Sequence, residues 1–239
     1  MFSMETESLS IGGSLGQVKA GSPSCAKSKT CHTSRSIMST IVVAQKNGVA
    51  CIGADTMSSL GSLRQKAHHV VNNTKITKQG DSYIGLTGTS SSLVVMNSYF
   101  INPERPRDFS STEAIFETFR HAHHWMKAEY FMSTAPDKNE EYETTQFYGL
   151  IANPHGIFAL YSYRTAQQFH KFWAAGSGRD YALGAMQVIY DQCDSAVDIV
   201  KAGLNASAEF DSATSGPFEI FTCDLIRQAK PVKKSRRKA

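Results

Sequence analysis

The stretch that decides the fold reads Ser39-Thr40-Ile41-Val42-Val43-Ala44-Gln45-Lys46-Asn47-Gly48-Val49-Ala50-Cys51-Ile52-Gly53-Ala54-Asp55. Two β-rich runs flank Asn47-Gly48, and an Asn-Gly pair in that setting is a strong hairpin signal because both residues tolerate the positive φ angles of a tight turn. The chain before it is of another kind. Residues 1–37 hold nine serines, no aromatic residue after Phe2 and no apolar periodicity, so they read as a disordered extension. The regular pattern starts abruptly at Met38, which makes Met38 a candidate for the true translation start and residues 1–38 a candidate misannotated upstream region.

Downstream of the hairpin, a strand is expected over 82–87, after a Gly80-Asp81 turn and ending at Gly88. The period then changes. Leu93, Val94, Met96 and Phe100 follow a run of serines that can cap a helix, and Pro103 and Pro106 stop it. A second helix is announced by Ser110-Ser111-Thr112-Glu113, with capping-box spacing from Ser110 to Glu113, and should run through Ile115, Phe116, Phe119, His123 and Met126 toward Tyr130. Residues 133–145 read as a loop. Strands are expected over 146–152 and 157–163, joined by the turn Asn153-Pro154-His155-Gly156, then helices over 181–193 and 195–209 and a last strand over 218–225. Blocks in this order fit an α+β fold in which helices cover both outer faces of two stacked, largely antiparallel sheets, a four-layer αββα sandwich.

With 239 residues, 41% of them hydrophobic, the chain can build one domain with a real core, which we place at 39–229. Its apolar runs fall far short of the ~18–20 residues that cross a bilayer, so a membrane protein is not expected. Five cysteines, Cys25, Cys31, Cys51, Cys193 and Cys223, are scattered without metal-site spacing and suit a reducing cytoplasm. The net charge of +4 is unevenly placed. Residues 1–38 hold four basic and two acidic residues, and the tail 230–239 holds six basic residues and no acid. The body keeps 15 basic and 19 acidic residues and is mildly acidic. Nucleic-acid binding is therefore not expected, the tail being read as a solvated terminus. His121 and His124 are spaced i,i+3 and His68-His69 lie elsewhere, but no carboxylate or cysteine completes a ligand set; no metal and no cofactor are expected.

The run Ser39-Thr40-Ile41-Val42, with Gly53-Ala54-Asp55 at the far end of its hairpin, resembles the start of a mature proteasome β subunit or of the HslV peptidase. The resemblance continues through Lys75-Ile76, Leu86-Thr87-Gly88-Thr89 and Gly176-Ser177-Gly178. It is greatest toward the bacterial proteasome homologues, through Asn153-Pro154-His155-Gly156-Ile157-Phe158, Tyr181-Ala182-Leu183-Gly184-Ala185-Met186 and Glu209-Phe210-Asp211. Several motifs in one order, covering about 39–225, are far more specific than any one of them.

That resemblance implies an N-terminal nucleophile hydrolase of proteasome-like fold. A serine hydroxyl needs a base, and an α-amino group with an ordinary pKa of ~7.7–8.0 is a suitable one on the same residue. Ser39 supplies both groups once residues 1–38 are gone, and a methionine before a small serine is what methionine aminopeptidase removes. The family's usual nucleophile is threonine, and its self-processing members carry glycine where this chain has Met38. Thr40 is the competing register, although the Ser39 register places Asp55 without a gap. By the same resemblance Lys75 holds positive charge beside the nucleophile and Asp55 keeps it charged and oriented, although the segment between them is about four residues longer than in HslV. Gly88 donates its N–H to an oxyanion, Ser177 bonds around the terminal amine, and Asp211 and Ser215 stand near the remaining Asp and Ser, with one residue of extra spacing. Met57, Leu86 and Ser90 line the pocket beside the scissile bond.

The leading functional reading is a self-compartmentalising peptidase of identical subunits in stacked rings, acting on peptide or unfolded protein in the cytoplasm and served by an ATP-dependent unfoldase. The bacterial homologues imply paired seven-membered rings and HslV six-membered ones. Two other readings are an amidohydrolase for small amides with the same chemistry, and a ring scaffold left catalytically silent by retention of residues 1–38.

Overall fold

The computed structural model describes residues 39–60, 63–132 and 142–226. The expectations for residues 1–38 and for the tail 230–239 lie outside the described residues. The opening hairpin forms as expected from β1 (Thr40–Lys46) and β2 (Val49–Asp55), with Asn47 at φ 48° and Gly48 at φ 82° in the turn. The pair β3 (Ser58–Leu60) and β4 (Leu63–Gln65) and one 3-10 turn, Ala67–His69, lead to β5 (Ile76–Gln79) and β6 (Ser82–Thr87). Two helices follow, α1 (Ser90–Ile101) and α2 (Thr112–Tyr130), and then four strands: β7 (Tyr148–Asn153), β8 (Gly156–Leu160), β9 (Ala166–Phe169) and β10 (Phe172–Gly176). The helices α3 (Arg179–Ile189) and α4 (Ala196–Phe210) precede β11 (Phe218–Asp224).

One sheet has the order β10-β1-β2-β11 and the other β5-β6-β7-β8-β9, with antiparallel pairing throughout. Side chains on a strand alternate between its faces, and β1 shows how that builds the layers. Val42 and Ala44 pack under α3 and α4 with Met186, Ile199, Val200 and Leu204. Ile41 and Val43 point the other way, into the space between the sheets, with Ile52, Leu150 and Ile157. The second sheet turns Ile84, Ile151 and Phe158 toward Met96, Phe119 and Met126 of α1 and α2. The four-layer αββα sandwich read from the sequence is the architecture observed.

Two differences have local causes. Strands β3, β4, β5, β9 and β10 lie where the sequence pattern predicts none; β3, β4, β5 and β9 have only three or four residues each, and β9 is an edge strand with glutamines at its centre, which carries no apolar alternation. The α2 cap is Ser111 rather than Ser110. Ser111 Oγ accepts the Ala114 N–H at 3.2 Å, so the box from Ser110 to Glu113 does not close. No helix among the described residues is long and apolar enough to cross a membrane.

The antiparallel registers gather chain ends at one edge of the sandwich. Ile41 pairs with Ala54 and Thr40 with Gly176, so the start of β1 meets the ends of β2 and β10. In the facing sheet, Ile76 pairs with Gly85, which sets the start of β5 beside the end of β6.

Candidate active site

Ser39 immediately precedes β1 and is only 6% exposed. Its carbonyl oxygen accepts the Ser177 N–H at 2.9 Å, which continues the β1–β10 ladder by one bond, and Ser177 Oγ lies 3.5 Å from the same oxygen. Gly176 makes this approach feasible: it sits at φ 103°, and a Cβ there would fall on the Ser39 carbonyl.

The Thr40 N–H donates to Asp55 Oδ1 at 2.9 Å, and Lys75 Nζ donates to the same oxygen at 2.7 Å. Asp55 Oδ2 accepts the Met57 N–H at 3.1 Å, while the Met57 carbonyl accepts from Lys75 Nζ at 2.6 Å. Asp55 is fully buried and the Lys75 side chain is 12% exposed. Burial pushes the Asp55 carboxyl above its ordinary pKa, opposed by the Lys75 charge and by the donors from Lys75, Thr40 and Met57. Burial likewise pulls the Lys75 ammonium down, opposed by Asp55, Glu219 and Asp211. An ammonium has three donors, and two are spoken for.

A second network backs the first. Asp211 Oδ2 accepts from Ser177 Oγ at 2.7 Å and from Thr214 Oγ1 at 2.6 Å, and Oδ1 accepts the Ala213 N–H at 3.2 Å. Thr214 Oγ1 is also 2.6 Å from Thr40 Oγ1, which accepts the Gly178 N–H at 3.1 Å. A hydroxyl has one hydrogen to give. Thr214 gives its own to the carboxylate, so Thr40 donates to Thr214. The Thr40 hydroxyl is thus fully buried and committed as both donor and acceptor.

The pleat separates the two candidate nucleophiles. Carried back along β1, the alternation that sends Val42 and Ala44 toward α3 and α4 sends Thr40 the same way, toward Gly178. It sends Ser39 with Ile41 and Val43 to the side between the sheets.

The sequence-predicted residues Ser39, Asp55, Lys75, Ser177 and Asp211 are therefore linked to this edge by hydrogen bonds. Gly88 directly follows β6 at φ 148°, a backbone region that L side chains rarely adopt, and β6 reaches this edge through the Leu86 N–H, 3.3 Å from the Lys75 carbonyl. Ser215 does not join. Its hydroxyl reaches only the Gly216 carbonyl at 3.4 Å, and Thr214 takes the place expected for it, because a three-residue step is what returns the chain over Asp211, with the Thr214 N–H on the Asp211 carbonyl at 3.1 Å. Met57 was expected to offer its side chain to substrate, but that side chain is buried at 1% exposure and the residue serves the site through its backbone. Leu86 is 6% exposed and packs into the cluster under α1 and α2. Ser90 opens α1.

Sequence reasoning missed Thr214, which its three-residue spacing from Asp211 could have revealed, and Glu219, which no local signal marks. Burial raises Cys51 to about 12 and Cys223 to about 11, so neither thiol is ionised at neutral pH. Among the described residues, no group of three or more His, Cys, Asp and Glu side chains is placed to hold a metal ion.

No protein-family model matches this chain, and no curated protein does. Among solved structures, the Thiobacillus denitrificans bacterial proteasome homologue is 33% identical, aligned over 79% of this chain and 100% of its own, with a TM-score of 0.75. The same protein in complex with epoxomicin aligns over the same shares at 33% identity, with a TM-score of 0.73. HslV from Trypanosoma brucei covers 77% of this chain and 99% of its own at 14% identity and a TM-score of 0.55, a likeness of fold alone. One residue in three shared over the whole Thiobacillus chain, on the same proteasome-like sandwich, establishes that this chain belongs to the bacterial proteasome homologue family.

Proposed function

We propose that the protein is a self-compartmentalising peptidase whose nucleophile is the hydroxyl of an N-terminal Ser39. The observation that carries this reading is the Lys75–Asp55 ion pair, anchored on the Thr40 N–H beside a serine whose carbonyl is pinned by Ser177. Further support comes from the Thr40 hydroxyl, which is occupied within the Asp211 network. The Thiobacillus homologue in complex with epoxomicin supports a site that accepts such a ligand.

In this mechanism the free α-amine of Ser39 takes the hydroxyl proton as Oγ attacks the substrate carbonyl. The third N–H of Lys75 faces the developing negative charge on Oγ, and the Gly88 N–H stabilises the oxyanion. The amine then returns the proton to the leaving peptide nitrogen, which leaves an ester on Ser39. Water, deprotonated by the same amine, hydrolyses that ester. Residues 1–38 must be absent from the active chain, because an acylated nitrogen is no base.

Ring assembly is part of the proposal. Tyr181 and Val188 stand seven residues apart on α3 at 45% and 71% exposure, and Phe210, whose ring lies 5.5 Å from that of Tyr181, is 67% exposed. An apolar stripe of this kind supports contacts between identical subunits in stacked rings.

Three outcomes follow for a chain beginning at Ser39. Analytical ultracentrifugation at micromolar concentration should give a particle of many subunits, and a monomer sinks the ring proposal. Ser39→Ala should abolish both peptide hydrolysis and epoxomicin labelling, whereas Thr40→Ala, which disturbs only the backing network, should retain some of each; the reverse result moves the nucleophile by one residue. Lys75→Ala should lower kcat by at least ~100-fold, as for loss of one oriented transition-state donor. Lys75→Arg should not restore it, since a planar guanidinium cannot occupy the same point. A near-wild-type kcat in Lys75→Ala removes the lysine from the mechanism.

A further inference from the structure

Lys75 is held by more than its side-chain partners. Its side chain crosses to Asp55 on β2 and to the Met57 carbonyl, while its main chain lies just before β5, at the edge of the other sheet. On one side of that main chain, the Lys75 carbonyl accepts the Leu86 N–H from β6. On the other side, the Lys75 N–H donates to Glu219 Oε2 at 3.2 Å. The same oxygen lies 2.9 Å from Thr74 Oγ1, whose hydroxyl is also 2.9 Å from the Ile76 carbonyl.

Glu219 belongs to β11, the edge strand of the first sheet, paired with Ala54 next to Asp55. Phe221 and Cys223 of the same strand pack between the sheets, and alternation sends Glu219 to that side as well. One carboxylate thus ties two edge strands of opposite sheets together at the residue that carries the ammonium. The carboxylates acting on Lys75 are Asp55 of β2, Asp211 at the end of α4 and Glu219 of β11.

We propose that Glu219 is a positioning residue for Lys75: through its hydrogen bond to the Lys75 N–H it clamps the Lys75 main chain in register with Asp55 and brings a carboxylate charge to the same residue. The two effects separate by substitution. Glu219→Gln keeps an acceptor oxygen for the Lys75 N–H and removes the charge, whereas Glu219→Ala removes both. Glu219 is half-buried, so its charge is partly screened by solvent and its influence is smaller than that of the fully buried Asp55. This inference rests on the role proposed above for Lys75, and one arm of its test does not depend on turnover.

The experiment uses assembled particles beginning at Ser39, with wild type, Glu219→Gln and Glu219→Ala compared from pH 6 to 10. Peptide hydrolysis gives kcat and KM. In parallel, competitive acetylation by acetic anhydride, read at Lys75 by mass spectrometry, gives the protonation midpoint of that lysine. Glu219→Ala should lose about 10-fold in kcat with KM changed by less than about twofold, because a misplaced donor is felt in the transition state. Glu219→Gln should keep most of kcat at pH 7. Both variants should bring the alkaline limb of kcat and the acetylation midpoint down by at least about 0.5 pH unit, since each removes the charge. A merely structural role lowers thermal stability and moves neither midpoint. Unmoved midpoints in Glu219→Gln overturn the inference. Wild-type particles that hydrolyse nothing, yet show a midpoint that depends on Glu219, defeat the peptidase reading and leave the clamp standing.

Discussion

Everything at this edge of the sandwich is arranged around a buried ammonium and a buried carboxylate, Lys75 and Asp55. Taking either ion out of water is costly on its own, and attraction between the two offsets that cost only when their remaining hydrogen-bonding groups are also satisfied. The fold meets that condition with backbone groups. Asp55 receives N–H donors from Thr40 and Met57, and Lys75 gives a second hydrogen to the Met57 carbonyl. Because Asp55 ends β2, Thr40 begins β1 and Lys75 precedes β5, the pair also sets how the two sheets meet. In the proposed mechanism, the burial that makes the pair expensive is also what lets its positive charge act strongly on the Ser39 hydroxyl.

The proposed division of labour between Ser39 and Thr40 rests on the strand pleat. Adjacent residues on β1 face opposite layers, so a single step along the chain exchanges the space between the sheets for the underside of α3 and α4. Thr40, on the helix side, is tied into the fold: Thr40, Thr214, Asp211 and the Ser177 hydroxyl form one chain of hydrogen bonds, and the Ser177 N–H holds the Ser39 carbonyl. Together these bonds fix the main chain of Ser39, the residue proposed to react. Glu219 adds a further tether, from a strand that, among the described residues, pairs only with β2.

Legibility in the sequence tracked how local each feature is. The Asn47-Gly48 hairpin and the strand alternation sufficed for the four layers, and the proteasome-like motifs marked Ser39, Asp55, Lys75, Gly88, Ser177 and Asp211 as candidates, because each sits at the end of a strand or within a recognisable short motif. Ser111 was passed over for Ser110 because capping serines stood side by side, and only the backbone decides between them. Thr214 was passed over for the adjacent Ser215, although its three-residue spacing from Asp211 is a sequence signal. The contributions of Met57 through its backbone and of Glu219 across two sheets depend on contacts between residues 18 and 144 positions apart, which no window of sequence contains. Polar β9 carries no strand signal because an edge strand need not alternate.

The central claim is that the reacting group is a serine whose own amine is free, and the most direct measurement is the intact mass of the native chain in particles sorted by epoxomicin labelling. The account predicts that labelled chains begin at Ser39 and carry the label on that residue. Labelled, active particles in which every chain retains Met38 or any residue before it would contradict the account.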